Sequence, residues 1–193
     1  YWGKPIPGFG DPNARLYILG LAPAAHGGNR TGRVFTGDRS GDWLYEALHH
    51  FGFANQATST HVGDGLALTD CYIGATVRCA PPANKPTPKE FIACRPFVVR
   101  EVQLLKAVRV VVVLGKIAFD HYLKAGRELG HRLPTPLPKF GHGAIYNLPW
   151  DVTLISSYHP SQQNTFTGKL TRSMFHRIFS QARQTLSGTS NPN

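Results

Sequence analysis

The sequence predicts an α/β fold, a three-layer sandwich in which helices flank a central four-stranded parallel sheet. Four short apolar runs have the length and composition of buried strands, and the third is β-branched almost throughout. Helical patterns lie between these runs. Strands that alternate with helices usually form a parallel sheet through right-handed crossovers.

The four strands are predicted at Leu16–Leu21, Tyr72–Val77, Val108–Leu114 and Val152–Ser156. One helix is predicted from Thr87 to about Lys106, because Thr-Pro-Lys-Glu is a capping-box sequence with proline at the first helical position. Pro96 is expected as a possible kink in it. The other helices are predicted at Asp42–His50, at Lys116–Lys124 and on an apolar face made by Leu170, Met174, Phe175, Ile178, Phe179 and Ala182.

The 193 residues predict a single domain over residues 1–186 and a flexible polar tail over 187–193. No apolar stretch reaches the roughly 18 residues of a membrane span, and no secretory signal opens the sequence. A cytoplasmic protein without membrane contact is therefore expected. Because the first residue is Tyr1 rather than methionine, further residues are expected upstream.

Lysine and arginine number 21 and aspartate and glutamate 11, a formal net charge of +10. This balance favours an anionic partner, most commonly nucleic acid, although a merely basic soluble protein has the same composition. The three cysteines are an odd number, which favours a reducing compartment over a disulfide framework.

The first strand is followed by a glycine-rich loop, residues 20–38, that matches neither GxGxxG nor a P-loop. Two of its residues are candidates for function. Phe35 lies among small residues and is either a core side chain or a stacking platform. Asp38 lies in a glycine-rich turn just before a helix and is either its N-cap or a functional acid.

Two later loops carry further candidates. Four prolines between Ala80 and Pro88 stiffen a loop in which Asn84 either reads the edge of a base or forms an Asx-turn. His159 follows the last strand among proline and polar neighbours, unlike a core histidine. Because ligands bind beyond the carboxyl ends of parallel strands, Asp38, Asn84 and His159 are predicted to converge on one rim of the sheet.

Four segments together resemble the uracil-DNA glycosylase superfamily, in the family's order and over nearly the whole chain. They are Gly-Leu-Ala-Pro-Ala-Ala-His-Gly at 20–27, Asn-Arg-Thr-Gly-Arg-Val-Phe-Thr-Gly-Asp at 29–38, Arg-Cys-Ala-Pro-Pro at 78–82 with Cys-Arg-Pro at 94–96, and His-Pro-Ser at 159–161. The first two look most like family five, the bacterial and archaeal type B. Family four would have glutamate at Leu21, and the classical enzymes a water-activating aspartate in the same loop; this sequence has neither.

The resemblance implies a role for each candidate. Ala22 would line the base pocket, Phe35 would stack on the flipped base, and Asn84 would read its edge. Asp38 is implicated near the attacking water, and His159 would hydrogen-bond the uracil O2. The implied DNA contacts are Arg30, Lys85, Gln163 and Asn164, the last two with Gln162 in a wedge. Further basic loop residues expected to meet phosphates are Arg33, Arg39, Lys169 and Arg172.

The family also carries a [4Fe-4S] cluster held by four cysteines, and Cys79 and Cys94 match two of them. By local pattern alone, two cysteines are a weak metal signal, and buried packing is the default. In relatives the other two ligands form an N-terminal Cys-x-x-Cys, which is expected upstream of Tyr1. Cys71 falls on a strand and matches no ligand.

The sequence therefore predicts a monofunctional, monomeric, nucleoid-associated glycosylase that flips uracil and related damaged bases out of DNA and hydrolyses the N-glycosidic bond. Without a second acid in the first loop, leaving-group stabilisation is favoured over general-base catalysis. One alternative is a non-catalytic nucleic-acid-binding module of the same fold. Two others are a nucleoside or nucleotide hydrolase, which leaves the +10 charge without a purpose, and an electron-transfer protein, for which two matching cysteines are too few.

Overall fold

The computed structural model describes residues 1–188 of the chain. Within that range the strands are β1 (Phe9–Gly10), β2 (Leu16–Gly20), β3 (Cys71–Ala75), β4 (Val110–Leu114), β5 (Ile145–Leu148) and β6 (Val152–Ser157). The helices are α1 (Gly28–Thr31), α2 (Arg39–His50), α3 (Pro88–Leu104), α4 (Lys116–Glu128), α5 (Gln162–Phe166) and α6 (Arg172–Leu186), with a 3-10 turn at Pro82–Asn84.

The six strands form one sheet in the order β1-β3-β2-β4-β6-β5. The four inner strands are parallel, with Ile18 of β2 paired to Ile73 of β3 on one side and to Val112 of β4 on the other. The predicted parallel four-stranded core is confirmed. The sheet is wider than predicted because β1 and β5 add antiparallel edges.

Helices cover both faces of the sheet. The five residues of β4 are all buried, as its β-branched composition predicts. Val112 packs in the core beneath α2 and α6, whereas its neighbours Val111 and Val113 pack in a second core beneath α3 and α4. This alternation follows from the two-residue period of a strand. The predicted three-layer arrangement is confirmed.

The start of α3 is set by its capping box. The Thr87 hydroxyl accepts from the Glu90 N–H at 3.3 Å, and the Glu90 carboxylate accepts from the Thr87 N–H at 2.6 Å. The helix passes through Pro96 and ends at Leu104, close to the predicted end.

Other boundaries differ from prediction. Helix α2 begins at Arg39 rather than Asp42 because Asp38 caps it, and α4 continues to Glu128. The short elements β1, β5, α1 and α5 were not predicted. Of the predicted tail, Ser187 and Gly188 follow α6, and residues 189–193 lie outside the described range. Among the described helices, none is long and apolar enough to cross a bilayer.

Candidate active site

A cavity of about 610 Å³ opens at the carboxyl ends of the parallel strands, the rim where ligands of such sheets bind. Its walls come from the first loop, the proline-rich loop and the segment after β6. The lining residues are Leu21, Ala22, Pro23, Ala24, Phe35, Asp38, Arg39, Ser40, Asn84, His159, Ser161, Gln162 and Gln163. The predicted convergence of Asp38, Asn84 and His159 is therefore found.

Phe35 lines this cavity with a half-buried ring that also packs against the core beneath α2. The ring is thus partly a core side chain, and its position in the cavity wall is compatible with the predicted stacking role. The ring stacks on the His159 imidazole, with centroids 5.9 Å apart and planes inclined by 27°. It also lies so close to Gly20 that a Cβ there would overlap it, so glycine at the end of β2 makes room for the platform.

Asp38 is both the N-cap of α2 and part of the cavity wall. Its Oδ1 accepts a hydrogen bond from the Gly41 N–H at 3.0 Å. The other oxygen, Oδ2, lies against Gly27, where any Cβ would collide with it. Burial raises the pKa of this carboxyl, and the backbone N–H groups at the helix start oppose the rise. The cap thus holds in the cavity wall a carboxylate that is protonated more readily than an exposed one.

His159 is held by its backbone while its ring faces the cavity. Its carbonyl accepts from the Asn164 side-chain amide at 2.9 Å, and Ser161 caps the short helix α5 that follows. Within residues 1–188, neither ring nitrogen hydrogen-bonds to a protein group. Desolvation lowers the pKa of His159 to about 4, so the imidazole is neutral near pH 7. A neutral ring still carries one N–H that can donate to a ligand.

Asn84 reaches the cavity from the opposite loop. It ends the 3-10 turn after Pro81 and Pro82, and both Ala83 and Asn84 adopt positive φ, 51° and 56°. The exposed amide makes no hydrogen bond to protein in the described range, so an Asx-turn is not seen. The left-handed backbone, which asparagine tolerates better than most residues, aims the side chain at the cavity.

The structure places some of the predicted DNA-contact residues at the cavity and others outside its lining. Gln163 lines the cavity, whereas the Asn164 amide is engaged with the His159 carbonyl. Arg30, in the short helix α1, and Lys85, just after the 3-10 turn, are exposed and lie outside the cavity lining. The expectation that Arg33 meets phosphates is wrong, because its side chain is 5% exposed and paired with Asp64 at 3.0 Å.

Two features of the rim were not predicted. Phe166, at the end of α5, is 68% exposed, and the Arg39 guanidinium lies 4.3 Å above its ring. The imidazole of His142 accepts from the Tyr158 N–H at 3.2 Å and so braces the residue before His159. The serine N-cap before Gln162–Phe166 is a local signal from which α5 could have been predicted. The contact between Tyr158 and His142 joins residues 16 positions apart and leaves no such signal.

The cysteines fit half of the implied cluster. Cys79 is exposed and Cys94 buried, and partial burial, together with the Cys94 thiol, raises the pKa of the Cys79 thiol. The Cys94 sulfur accepts from the Arg78 N–H at 3.4 Å, the kind of contact that stabilises a ligating sulfur. Cys71 is buried within β3. The described residues hold no group of three or more side chains able to bind a metal, so they offer at most two of the four thiolates that the resemblance implies.

The chain is similar to known proteins along most of its length. A family model described as the uracil DNA glycosylase superfamily matches residues 7–183. The chain is 50% identical to a type-5 uracil-DNA glycosylase of Mycobacterium tuberculosis over 95% of its length and 68% of the relative's. It is also 50% identical to the type-5 uracil-DNA glycosylase of Thermus thermophilus, over 95% of this chain and 81% of that one.

A type-4 uracil-DNA glycosylase of Pyrobaculum aerophilum is more distant, at 28% identity over 83% of this chain and 74% of the relative. The fold resembles the solution NMR structure of a Methanosarcina acetivorans protein described as a candidate uracil DNA glycosylase. The TM-score is 0.51 at 14% identity, over 92% of this chain and 96% of that one.

Proposed function

Because the chain belongs to the uracil-DNA glycosylase superfamily, with type-5 enzymes among its relatives, we propose that it is a monofunctional DNA glycosylase acting on uracil and related damaged bases. Water adds to C1′ of the deoxyribose, the C1′–N1 bond breaks, and the base leaves with its bonding electrons. The observation that carries this proposal is the single cavity lined by Phe35, Asp38 and His159 at the carboxyl rim of the sheet.

The cavity suits a base that has left the helical stack. Flipping a nucleotide costs a few kcal/mol, least where pairing is weak as in a G·U mismatch. Phe35 offers the flipped base a flat apolar face, and the Asn84 amide offers both a donor and an acceptor to its edge. Ala22, which also lines the cavity, is small enough to let the base approach the backbone.

His159 is assigned to the leaving group. Negative charge develops on the departing base, and a hydrogen bond from the imidazole N–H to the uracil O2 stabilises it. Because the ring is neutral near pH 7, it acts as a donor and not as a proton source. One preorganised donor of this kind lowers a barrier by about 3 kcal/mol.

Asp38 is assigned to the sugar side of the reaction. Its capping bond to Gly41 uses one oxygen, and Oδ2 remains to orient water or to stabilise positive charge on the deoxyribose. The first loop offers Leu21 and Ala22 where some relatives carry a second acid, so the mechanism relies on stabilising the leaving base more than on forming hydroxide.

DNA is held by the rim of the cavity. Exposed Arg30 in α1 and exposed Lys85 after the 3-10 turn would contact phosphates, and Gln163 in α5 would fill the space that the flipped base leaves in the stack. The net charge of +10 favours this association and makes it sensitive to salt. We further propose that the protein binds as a monomer to the DNA of the cytoplasm, in association with the nucleoid.

Cys79 and Cys94 would supply two of the four thiolate ligands of a [4Fe-4S] cluster. Two further ligands would complete it. Such a cluster would tie the proline-rich loop, which carries Asn84, to the buried side of α3. Such a cluster would have a structural role, since no step of base hydrolysis needs an electron.

The test is incubation with labelled duplexes that contain one uracil, opposite guanine or adenine, followed by alkali. A monofunctional glycosylase leaves abasic sites, so strands break only after alkali. Free deoxyuridine in parallel reactions distinguishes a nucleoside hydrolase. Tight duplex binding without any break would instead indicate the non-catalytic binding module.

A further inference from the structure

The backbone of Phe35 is held in an unfavourable conformation. Its φ of 52° lies in the left-handed region, which non-glycine residues adopt at an energy of about 1–3 kcal/mol and only where the surroundings enforce it. The groups that enforce this conformation therefore decide where the Phe35 ring stands.

The carbonyl just before Phe35 is fixed by two hydroxyl groups. The Val34 carbonyl accepts from the Tyr45 hydroxyl at 2.9 Å and from the Thr36 hydroxyl at 3.1 Å. The Thr36 hydroxyl lies 2.6 Å from that of Ser59, on a separate loop. The platform is thus connected to residues far from the cavity.

That connection continues into a buried ion pair. The Arg33 guanidinium donates to the Ser59 hydroxyl at 2.9 Å and to both oxygens of Asp64, at 3.0 and 3.2 Å. The two side chains are only 5% and 6% exposed. Asp64 also accepts from the backbone N–H groups of Thr60 and Leu66, which orders the loop around it.

A buried ion pair is weak support for stability in itself, because desolvation offsets its attraction, whereas it can enforce one conformation over others. We propose that Arg33 and Asp64 are positioning residues of the reaction, which act through Ser59 and Thr36 to hold the Phe35 ring in its stacking position. The inference rests on the proposed role of Phe35 as the platform for the flipped base.

The test is a double-mutant cycle between Asp64→Asn and Phe35→Ala, read as the single-turnover rate of uracil excision from a G·U duplex. Asp64→Asn keeps the shape of the side chain and removes its charge. We expect it to slow excision about ten-fold in the native background and by less than about two-fold in the Phe35→Ala background, since residues of one network couple. Melting temperatures of all four proteins are measured in parallel.

The matched control is Asp70→Asn, which removes the charge of a second Asp–Arg pair, with Arg15, before β3. It should leave excision unchanged. Ser59→Ala interrupts the connection while keeping both charges of the ion pair, and the cycle is repeated with it if Asp64→Asn fails to fold. A lower melting temperature is compatible with either role and is not the deciding measurement.

The outcomes separate the inference from the function on which it rests. If Asp64→Asn slows excision equally with and without the Phe35 side chain, the Arg33–Asp64 ion pair only stabilises its loop and the inference is overturned. If Phe35→Ala leaves excision intact, the stacking role falls, and the inference with it. If no variant or native chain excises uracil, the proposed function itself fails.

Discussion

The rings of Phe35 and His159 stack on one another, with centroids 5.9 Å apart, although 124 residues separate them in sequence. The contact joins the first loop, after β2, to the last loop, after β6, strands that lie on either side of β4. The proposed platform and the proposed leaving-group donor are therefore parts of one wall, and each can be tested separately.

Replacing His159 with alanine should abolish most excision while leaving DNA affinity nearly unchanged. Loss of a preorganised donor reduces turnover by about 10²–10³-fold. Single-turnover excision and binding to an uncleaved duplex are measured side by side. His121→Gln, which replaces a buried histidine outside the cavity lining, is the control. Equal losses of binding and cleavage in His159→Ala would argue against the assigned role.

Acid should destabilise the protein between pH 6.5 and about pH 4. Burial lowers the pKa of both His159 and His121 from 6.5 to about 4, so the folded state binds fewer protons than the unfolded state in this window. The free energy of unfolding therefore falls as the pH falls. His159→Gln should flatten this dependence, measured by denaturant unfolding at several pH values. An unchanged slope in that variant would contradict the buried neutral imidazole.

Two substitutions separate the capping role of Asp38 from its chemical role. Asn caps a helix about as well as Asp, so Asp38→Asn should keep the melting temperature and lose excision. Asp38→Ala should lose excision and also destabilise α2 by about 0.5–2 kcal/mol. Full excision in a folded Asp38→Asn protein would leave the residue as a cap only.

The pH profile offers a further check on Asp38. Because burial raises its pKa, excision should fall on the acid side at a higher pH than an ordinary aspartate would cause. The residual activity of Asp38→Asn should lack that step.

Gly20→Ala should displace the Phe35 ring, because the added Cβ would overlap it. A misplacement of about 1 Å at a site can reduce the rate about 10²-fold. Gly3→Ala, at a glycine where a Cβ meets no atom within 4 Å, is the matched control. Stacking is followed by the fluorescence of a base analogue in the lesion position. Unimpaired stacking in a folded Gly20→Ala protein would contradict the tight fit.

The sequence predicts those elements whose structure depends on residues that are close together along the chain. The β-branched run at Val110–Leu114 and the capping box at Thr87 correctly predicted a central strand and a helix start. The edge strand Ile145–Leu148 is mostly exposed and held by pairing with β6, so no apolar run marks it. Arg33 looked like a phosphate contact because its partner Asp64 lies 31 residues away, a pairing that only the fold creates.

The same reasoning applies to the site. Asp38 and His159 were predictable because each follows or precedes an element with a clear boundary. The bracing of Tyr158 by His142, and the connection from Asp64 to Phe35, depend on tertiary contacts between loops that have no local pattern. The roles proposed for all the site residues, Asp38 and His159 included, stay predictions.

The most direct measurement is the identification, by mass spectrometry, of what is released when the native chain meets a duplex with one G·U pair. The account predicts free uracil in amounts equal to the abasic strands, with His159→Ala releasing far less from an equally bound duplex. A bound duplex that releases no base, or native and His159→Ala proteins that release it equally fast, would contradict it.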